Sequence, residues 1–400
     1  MKAYKSIALA LLSCLALSTV AMADDFSFSY VVGDKYRVLS TVDEDVYINR
    51  QYSHSARILN RIAFEVAKVR DDGAALLKGD FSTSVRYAGG YSYVADKLYH
   101  SEYWHLKDGR YEIGSQYYMP TVRHVPRFPA RSLSPGDSWN APGEERHDFR
   151  EDFGIPDPYV IPIDVRYSYE GPGTLKGVPV RLVRAAYTVF EQAARPRQWT
   201  VAYPTQIAGY SDQLLYWDPA RGALVGYEER FKFVFELSDG RTVEYRGEAS
   251  SEVVEASIMN RATLEKELRD AVSDLKDVSV QSDERGVTIR LENIQFAADS
   301  SRLLPQELAK IQRIASIISK VEGRDVRVSG HTALAGTESA RKLLSVERAR
   351  AVAEELIRLG ARKPESLTVI GYGAEKPIAD NTSESGMARN RRVEITILEN

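Results

Sequence analysis

Cysteine is all but missing from the 400-residue chain: there is one, Cys14, and it lies inside an apolar run near the N-terminus. No disulfide framework can form, so stability must come from a buried core, which a chain of this length supplies. No charge of one sign dominates either. With 53 basic and 56 acidic residues the formal charge is −3, and no block of like charges stands out, so nucleic acid is not an expected partner. After the N-terminal run, no stretch reaches the roughly 18 apolar residues that a membrane-spanning helix needs. A nucleophile elbow, a P-loop, a dinucleotide fingerprint and zinc-ligand spacing are likewise absent. No enzyme class, cofactor or metal is therefore expected.

Residues 1–23 combine Lys2 and Lys5, an apolar run from Ile7 to Val20, and small residues at Ala21 and Ala23. That order predicts a secretory signal peptide cut after Ala23. The competing reading, lipid attachment at Cys14, suffers from the short apolar segment before it.

Two halves of different character follow. Between residues 24 and 255 lie all four tryptophans and all but two of the 23 tyrosines, a distribution that suits sheet surfaces. Asp-Gly pairs at Asp72 and Gly73, Asp108 and Gly109, and Asp239 and Gly240 sit between alternating runs and predict hairpins. In FKFVFELSDGRTVEYRG, Phe231, Phe233, Phe235 and Leu237 share one face and Lys232 and Glu236 the other, as in a sheet with one dry side. Prolines recur between residues 119 and 163, together with the charged run GEERHDFRED. This segment reads as an irregular crossover with a solvated acidic loop from Glu144 to Asp152. His100 and His105, five apart in one strand pattern, are expected on opposite faces and so share no metal. The fold class expected for 24–255 is all-β, an antiparallel sheet, sandwich or half-barrel, with two subdomains meeting near 119–163 as a further option.

After residue 255 the period changes. Ile258, Leu264, Leu268, Ala271 and Leu275 fit one helical face, followed by two short strands around Arg285 and Gly286. A helix opens at Pro305, a strand covers DVRVSG, a long helix runs from about Glu338 to Leu359 and ends at Gly360, and the strands SLTVIGYG and RVEITIL follow. Strands interleaved with helices predict an α/β sandwich with a mixed sheet over 256–400, making the chain multidomain.

Within it, Gly330 leads into a short loop of His331, Thr332 and Ala333, and Thr337 is placed to cap the long helix. That helix start offers free N–H groups to an anion. Farther along, Leu344, Arg348 and Ala351 or Val352 share one side, where a guanidinium can clamp a carboxylate. His331 is expected to be structural, bonding the loop backbone.

The ordered pieces IQFAADSSRLLPQ, GHT, LSVERARAVAEEL, GYGAEKPIADN and NRRVEI, from about Ile294 to Leu398, resemble the OmpA C-terminal-like peptidoglycan-binding domain of OmpA, peptidoglycan-associated lipoproteins and flagellar stator proteins. The resemblance implies noncovalent binding of the peptidoglycan stem peptide. In that family an aspartate after GHT holds the ammonium of diaminopimelate and a helix arginine takes its carboxylate. Arg348 matches the arginine. Ala333 stands at the aspartate position, Arg341 where asparagine is usual, and Met387 where an arginine usually precedes the Asn-Arg-Arg run, with Arg389 two residues on. The ligand set implied is Thr332, Ala333, Arg341, Leu344, Arg348, Asn381, Asn390 and Arg391.

Together these features predict an exported cell-envelope protein, periplasmic or associated with the outer membrane. Its partners would be peptidoglycan, with weakened or altered stem-peptide recognition, and other envelope proteins or the outer membrane. A stem carrying ornithine in place of diaminopimelate would be one reason for a changed pocket. The alternative is an interaction module that kept the fold and lost peptidoglycan binding.

Overall fold

The computed structural model describes residues 23–192, 201–255, 259–292, 294–296, 301–321 and 323–399. Residues 1–22 of the expected signal peptide, Cys14 among them, and Ile258 lie outside these described residues.

The N-terminal half is a procession of strands: β1 (Lys35–Ile48), β2 (Gln51–Val69), β3 (Ala75–Tyr87), β4 (Tyr93–His105), β5 (Tyr111–Ile113), β6 (Val122–Arg123), β7 (Ser138–His147), β8 (Tyr159–Leu175), β9 (Val178–Gln192), β10 (Pro204–Asp218), β11 (Ala223–Leu237) and β12 (Thr242–Glu255). They pair antiparallel in the order β5-β4-β3-β2-β1-β12-β11-β10-β9-β8-β7-β6, the first and last long strands meeting from Tyr36↔Glu255 to Ile48↔Val243. The three Asp-Gly pairs are hairpin turns, with Gly73, Gly109 and Gly240 at φ of 81°, 91° and 85°. A side chain is strained there, which is why glycine follows each aspartate.

The sheet curls until its ends lie side by side. The Tyr99 hydroxyl on β4 donates to Asp148 just beyond β7 at 2.6 Å, and the Tyr111 N–H donates to His124 Nδ1 at 3.0 Å. Aromatic rings fill the interior: Phe26 and Phe28, from the segment before β1, pack with Phe128, Tyr169 and Trp217. His100 is exposed beside Asp80, whereas His105 is buried against Tyr30 and Phe28.

One expectation fails here. The proline-rich segment 119–163 is not wholly irregular: β7 runs through Pro142 and GEERH and pairs with β8 from Ser138↔Ser168 to His147↔Tyr159. At Pro142 and Pro162 each strand has a ladder partner on one side only, so the missing N–H breaks no hydrogen bond. Nor is the acidic run wholly solvated. Glu145 is 3% exposed and accepts from the Tyr187 hydroxyl at 2.6 Å and bonds His147 Nε2 at 2.8 Å, partners that make its burial tolerable. A short helix, α1 (Arg150–Phe153), follows.

The C-terminal half contains α2 (Arg261–Ala271), β13 (Val278–Asp283), β14 (Gly286–Glu292), α3 (Pro305–Ile318), β15 (Val326–Gly330), α4 (Glu338–Arg358), β16 (Leu367–Gly371), α5 (Glu384–Asn390) and β17 (Arg392–Leu398). Strand order is β13-β14-β17-β15-β16, with β15 and β16 parallel and joined through α4, and the remaining pairs antiparallel. This is the expected mixed sheet. Alternation sends Val287, Ile289, Val328, Val393, Ile395 and Ile397 to one face, where Leu268, Ile311, Ile314, Ile318, Val352 and Leu356 cover them. Burying a side chain of this size contributes about 1.5–3 kcal/mol each, which fixes the sheet under the helices.

Among the described residues the halves meet along β4 and β16 and around Asp325. β16 pairs with β4 in parallel at Thr368↔Tyr93 and Val369↔Val94. Asp325, just before β15, accepts from Arg37 on β1 and Arg61 on β2, both at 3.1 Å, and Arg61 also donates to Thr368 Oγ1 at 2.7 Å.

Candidate functional site

The ends of β15 and β16 press directly on α4. A Cβ on Gly330 would overlap the Ser345 carbonyl oxygen, and one on Gly371 would crowd Ser345 Oγ at 2.5 Å, so only glycine lets these strands approach the helix. Ser345 Oγ accepts from the Gly373 N–H at 2.9 Å, and the Gly373 carbonyl accepts from the Thr332 N–H at 2.8 Å. The loop after β15 and the loop after β16 are thereby tied together. Thr337 caps α4, its hydroxyl accepting from the Ala340 N–H at 3.3 Å.

Asn390 is fully buried and is used up on this loop. Its Oδ1 accepts from the N–H groups of Ile378 and Ala379 at 2.8 and 3.0 Å, and its Nδ2 donates to the Ala379 carbonyl at 2.8 Å and Asn381 Oδ1 at 3.0 Å. Asn381 Oδ1 also accepts from the Leu334 N–H at 3.1 Å. Both asparagines thus hold the frame around Ala333, which is itself buried. Thr332 is buried beside it with no hydrogen-bond partner for its hydroxyl among the described residues.

Arg348 is half-buried on α4. Its guanidinium lies 5.1 Å over the Phe296 ring, and its Nε has no hydrogen-bond partner. No carboxylate stands within ion-pair distance among the described residues. Burial, and then the neighbouring charge of Arg391, pull its pKa below the usual arginine value. Arg391 donates to Glu384 at 2.8 Å, so its charge is partly answered. Arg341 donates to the Gly336 carbonyl, and Leu344 is half-exposed one turn before Arg348. Arg389 turns to Glu292 at 3.1 Å. What the loop and α4 present is two neighbouring guanidiniums, Arg348 and Arg391, the first without a carboxylate partner among the described residues.

This framework can be set beside known proteins. The OmpA family model matches residues 295–391. An outer-membrane lipoprotein, YfiB of Pseudomonas aeruginosa, is 33% identical over 122 residues, covering 28% of this chain and 72% of that protein. The chain belongs to the OmpA family. The peptidoglycan-associated lipoprotein of the same organism is 36% identical over 100 residues, 25% of this chain and 58% of that protein. Among solved structures, the cell wall anchor of the type VI secretion system from P. aeruginosa is 29% identical, covering 33% of this chain and 96% of that one, with a TM-score of 0.29. Of the first relatives it matches, the chain spans about a third: 33%, 31% and 32% of their lengths. All these likenesses fall on the OmpA-like region.

Two features of that region escape a reading of the sequence. Phe296, beneath Arg348, is one apolar residue in a strand-like piece, and nothing in its spacing marks it. His331 does not bond the loop backbone through its ring, contrary to expectation. The ring is 2% exposed, stacks on Tyr372 at 5.2 Å, has Glu394 at 3.7 Å from Nε2, and makes no hydrogen bond among the described residues, while its backbone N–H donates to the Arg392 carbonyl at 3.0 Å. Backbone N–H groups around the loop are taken by Asn390, Asn381 and Ser345 instead.

Proposed function

We propose that this is an exported cell-envelope protein, periplasmic or associated with the outer membrane, whose OmpA-like region holds peptidoglycan noncovalently. In this reading the chain divides near residue 255, and residues 24–255 face another envelope protein or the outer membrane. Relatives named as a peptidoglycan-associated lipoprotein and a peptidoglycan-binding protein support the ligand class. The observation that carries the reading is Arg348, half-buried beside Arg391 with no carboxylate partner among the described residues. A stem-peptide carboxylate answers that charge. Ala333 supplies no acid for an ammonium, so diaminopimelate loses one charge-assisted contact, worth about 1.5–3 kcal/mol. Its binding is therefore roughly ten- to hundred-fold weaker than with the full clamp. A stem carrying ornithine in place of diaminopimelate would bring an ammonium, without a distal carboxylate, to two guanidiniums, which argues against that substitution as the cause of the altered pocket.

Co-sedimentation of the mature chain with purified sacculi tests the reading. Arg348→Ala is expected to weaken retention about tenfold, the loss of one charge-assisted contact. Retention that is unchanged in Arg348→Ala, or absent in the wild type, overturns it in favour of a module that kept the fold without the ligand.

A further inference from the structure

The face of the C-terminal sheet that the helices leave uncovered is strongly basic. Alternation along β14, β15 and β17 puts Arg290, Arg327 and Arg392 on this face, opposite the aliphatic residues packed under α3 and α4. They line a cavity of about 170 Å³ together with Arg285, Lys376 and His331. Two carboxylates answer five cations. Glu394 accepts from Arg290 at 3.2 Å and from Arg392 at 2.8 Å, and Asp283 pairs with Arg285. Arg327 makes no ion pair among the described residues, Asp283 feeling its charge only at longer range, and its Nε is buried without a hydrogen bond. Lys376 sits over the Tyr372 ring at 3.8 Å.

His331 supplies the second, independent observation. It is 2% exposed, lines the cavity, and finds no hydrogen-bond partner for either ring nitrogen among the described residues; Glu394, 3.7 Å from Nε2, is at ion-pair distance only and is already shared by Arg290 and Arg392. Buried polar groups are nearly always satisfied, so a buried imidazole and guanidinium left short of hydrogen bonds in one cavity, beside the exposed ammonium of Lys376, point to a shared acceptor. Drug-sized ligands occupy roughly 300–1,000 Å³, so this space suits a group of a few heavy atoms. The chain separates this place from the stem-peptide loop residue by residue. His331 and Arg392 belong to the cavity, while their neighbours Thr332 and Arg391 belong to the loop and to Arg348.

We propose that this cavity binds a compact, multiply charged oxyanion of the phosphate class, with Arg327, Lys376 and the His331 ring as its new donors. Guanidinium and ammonium groups contact phosphate oxygens through short charge-assisted bonds, and Arg290 and Arg392, held by Glu394, steer the anion without moving. The site is independent of peptidoglycan recognition.

Titration calorimetry of the mature chain with inorganic phosphate in a phosphate-free buffer tests this. The expected result is saturable binding, weakened about tenfold in Arg327→Gln and again in Lys376→Gln, with sacculus co-sedimentation unchanged in both. Thermal unfolding of each variant confirms that it folds. Vesicles containing phosphatidylglycerol, floated in parallel, separate the sources. Capture lost in Arg327→Gln places a lipid phosphate in the cavity, whereas phosphate binding without vesicle capture places a soluble or glycan-borne phosphate ester there. No heat with phosphate, or equal binding by the wild type and both variants, overturns the proposal.

Discussion

Under the helices of the C-terminal half the buried core consists of Ile, Val, Leu and Ala; the N-terminal half buries Phe, Tyr and Trp, with Glu145, His105 and Gln213 also out of solvent. A helix-on-sheet stack brings two surfaces close enough for aliphatic side chains to interdigitate, and these ask for no hydrogen bonds. A curled sheet must be filled across a wider span, so rings are used, and rings bring hydroxyls that need partners. The consequence is chemical as well as geometric. Buried titrating groups such as Glu145 and His105 lie inside the N-terminal half, while in the C-terminal half His331 and Arg392 line the uncovered face and Glu307 is buried on α3 beside Lys310.

That contrast matters only if the halves can act separately, and Asp325, beside the β16–β4 pairing, is one of the points where they are joined. Its side chain is 15% exposed, and those of Arg61 and Arg37 are 12% and 16% exposed. Replacing Asp325 with Asn keeps a side-chain carbonyl but removes the negative charge that the two guanidiniums share, which costs about 3 kcal/mol. Because all four tryptophans lie before residue 255, fluorescence follows the N-terminal half and helical circular dichroism mainly follows the other. In Asp325→Asn the two urea transitions are expected to separate. If they stay coincident at the wild-type midpoint, Asp325 is not the coupling.

A smaller effect tests the pH asymmetry. Burial raises the Glu44 carboxyl from 4.5 to about 7 in the folded chain. A folded pKa above the unfolded one gives a contribution that is fully present below about pH 4.5 and lost as pH rises through 7. Allowing for partial solvent screening, ionising this carboxyl costs about 2 kcal/mol. Glu44→Gln should therefore raise the melting temperature at pH 8.5 and do little at pH 5. An equal shift at both values would assign the effect to packing instead of charge.

The two halves also differ in how well they could be read. Around the C-terminal sheet the local signals agree with one another: Pro305 opens α3, Thr337 caps α4 and Gly360, at φ 71°, ends it. In the N-terminal half the Asp-Gly turns were legible, but β7 was hidden because prolines weigh against a strand unless its edge is known, and edges are tertiary facts. The same limit applies to the site. Arg348 was legible from its place on a helix, whereas the split of Arg391 and Arg392 to different surroundings depends on where α5 stops and β17 starts. The partners of Asp325 lie 264 and 288 residues away, and no periodicity carries information that far.

The smallest effect expected is at Ala333, and it decides whether the stem-peptide loop is degenerate or re-tuned. Ala333 is 6% exposed inside a frame already tied by Asn381, Asn390 and Gly373. An aspartate placed there is partly desolvated, which raises its pKa and takes back some of the attraction it offers an ammonium. The gain is therefore at the low end of one charge-assisted contact, about tenfold in affinity for a diaminopimelate stem fragment at pH 7.5. A fragment without the side-chain ammonium should show none of it. Combined with Arg348→Ala, the gain should shrink, because a ligand released at its carboxylate is no longer held against the new acid. If Ala333→Asp instead leaves both fragments bound as in the wild type, then the loop has been rebuilt for a ligand without that ammonium, and the paired guanidiniums of Arg348 and Arg391 are its main recognition.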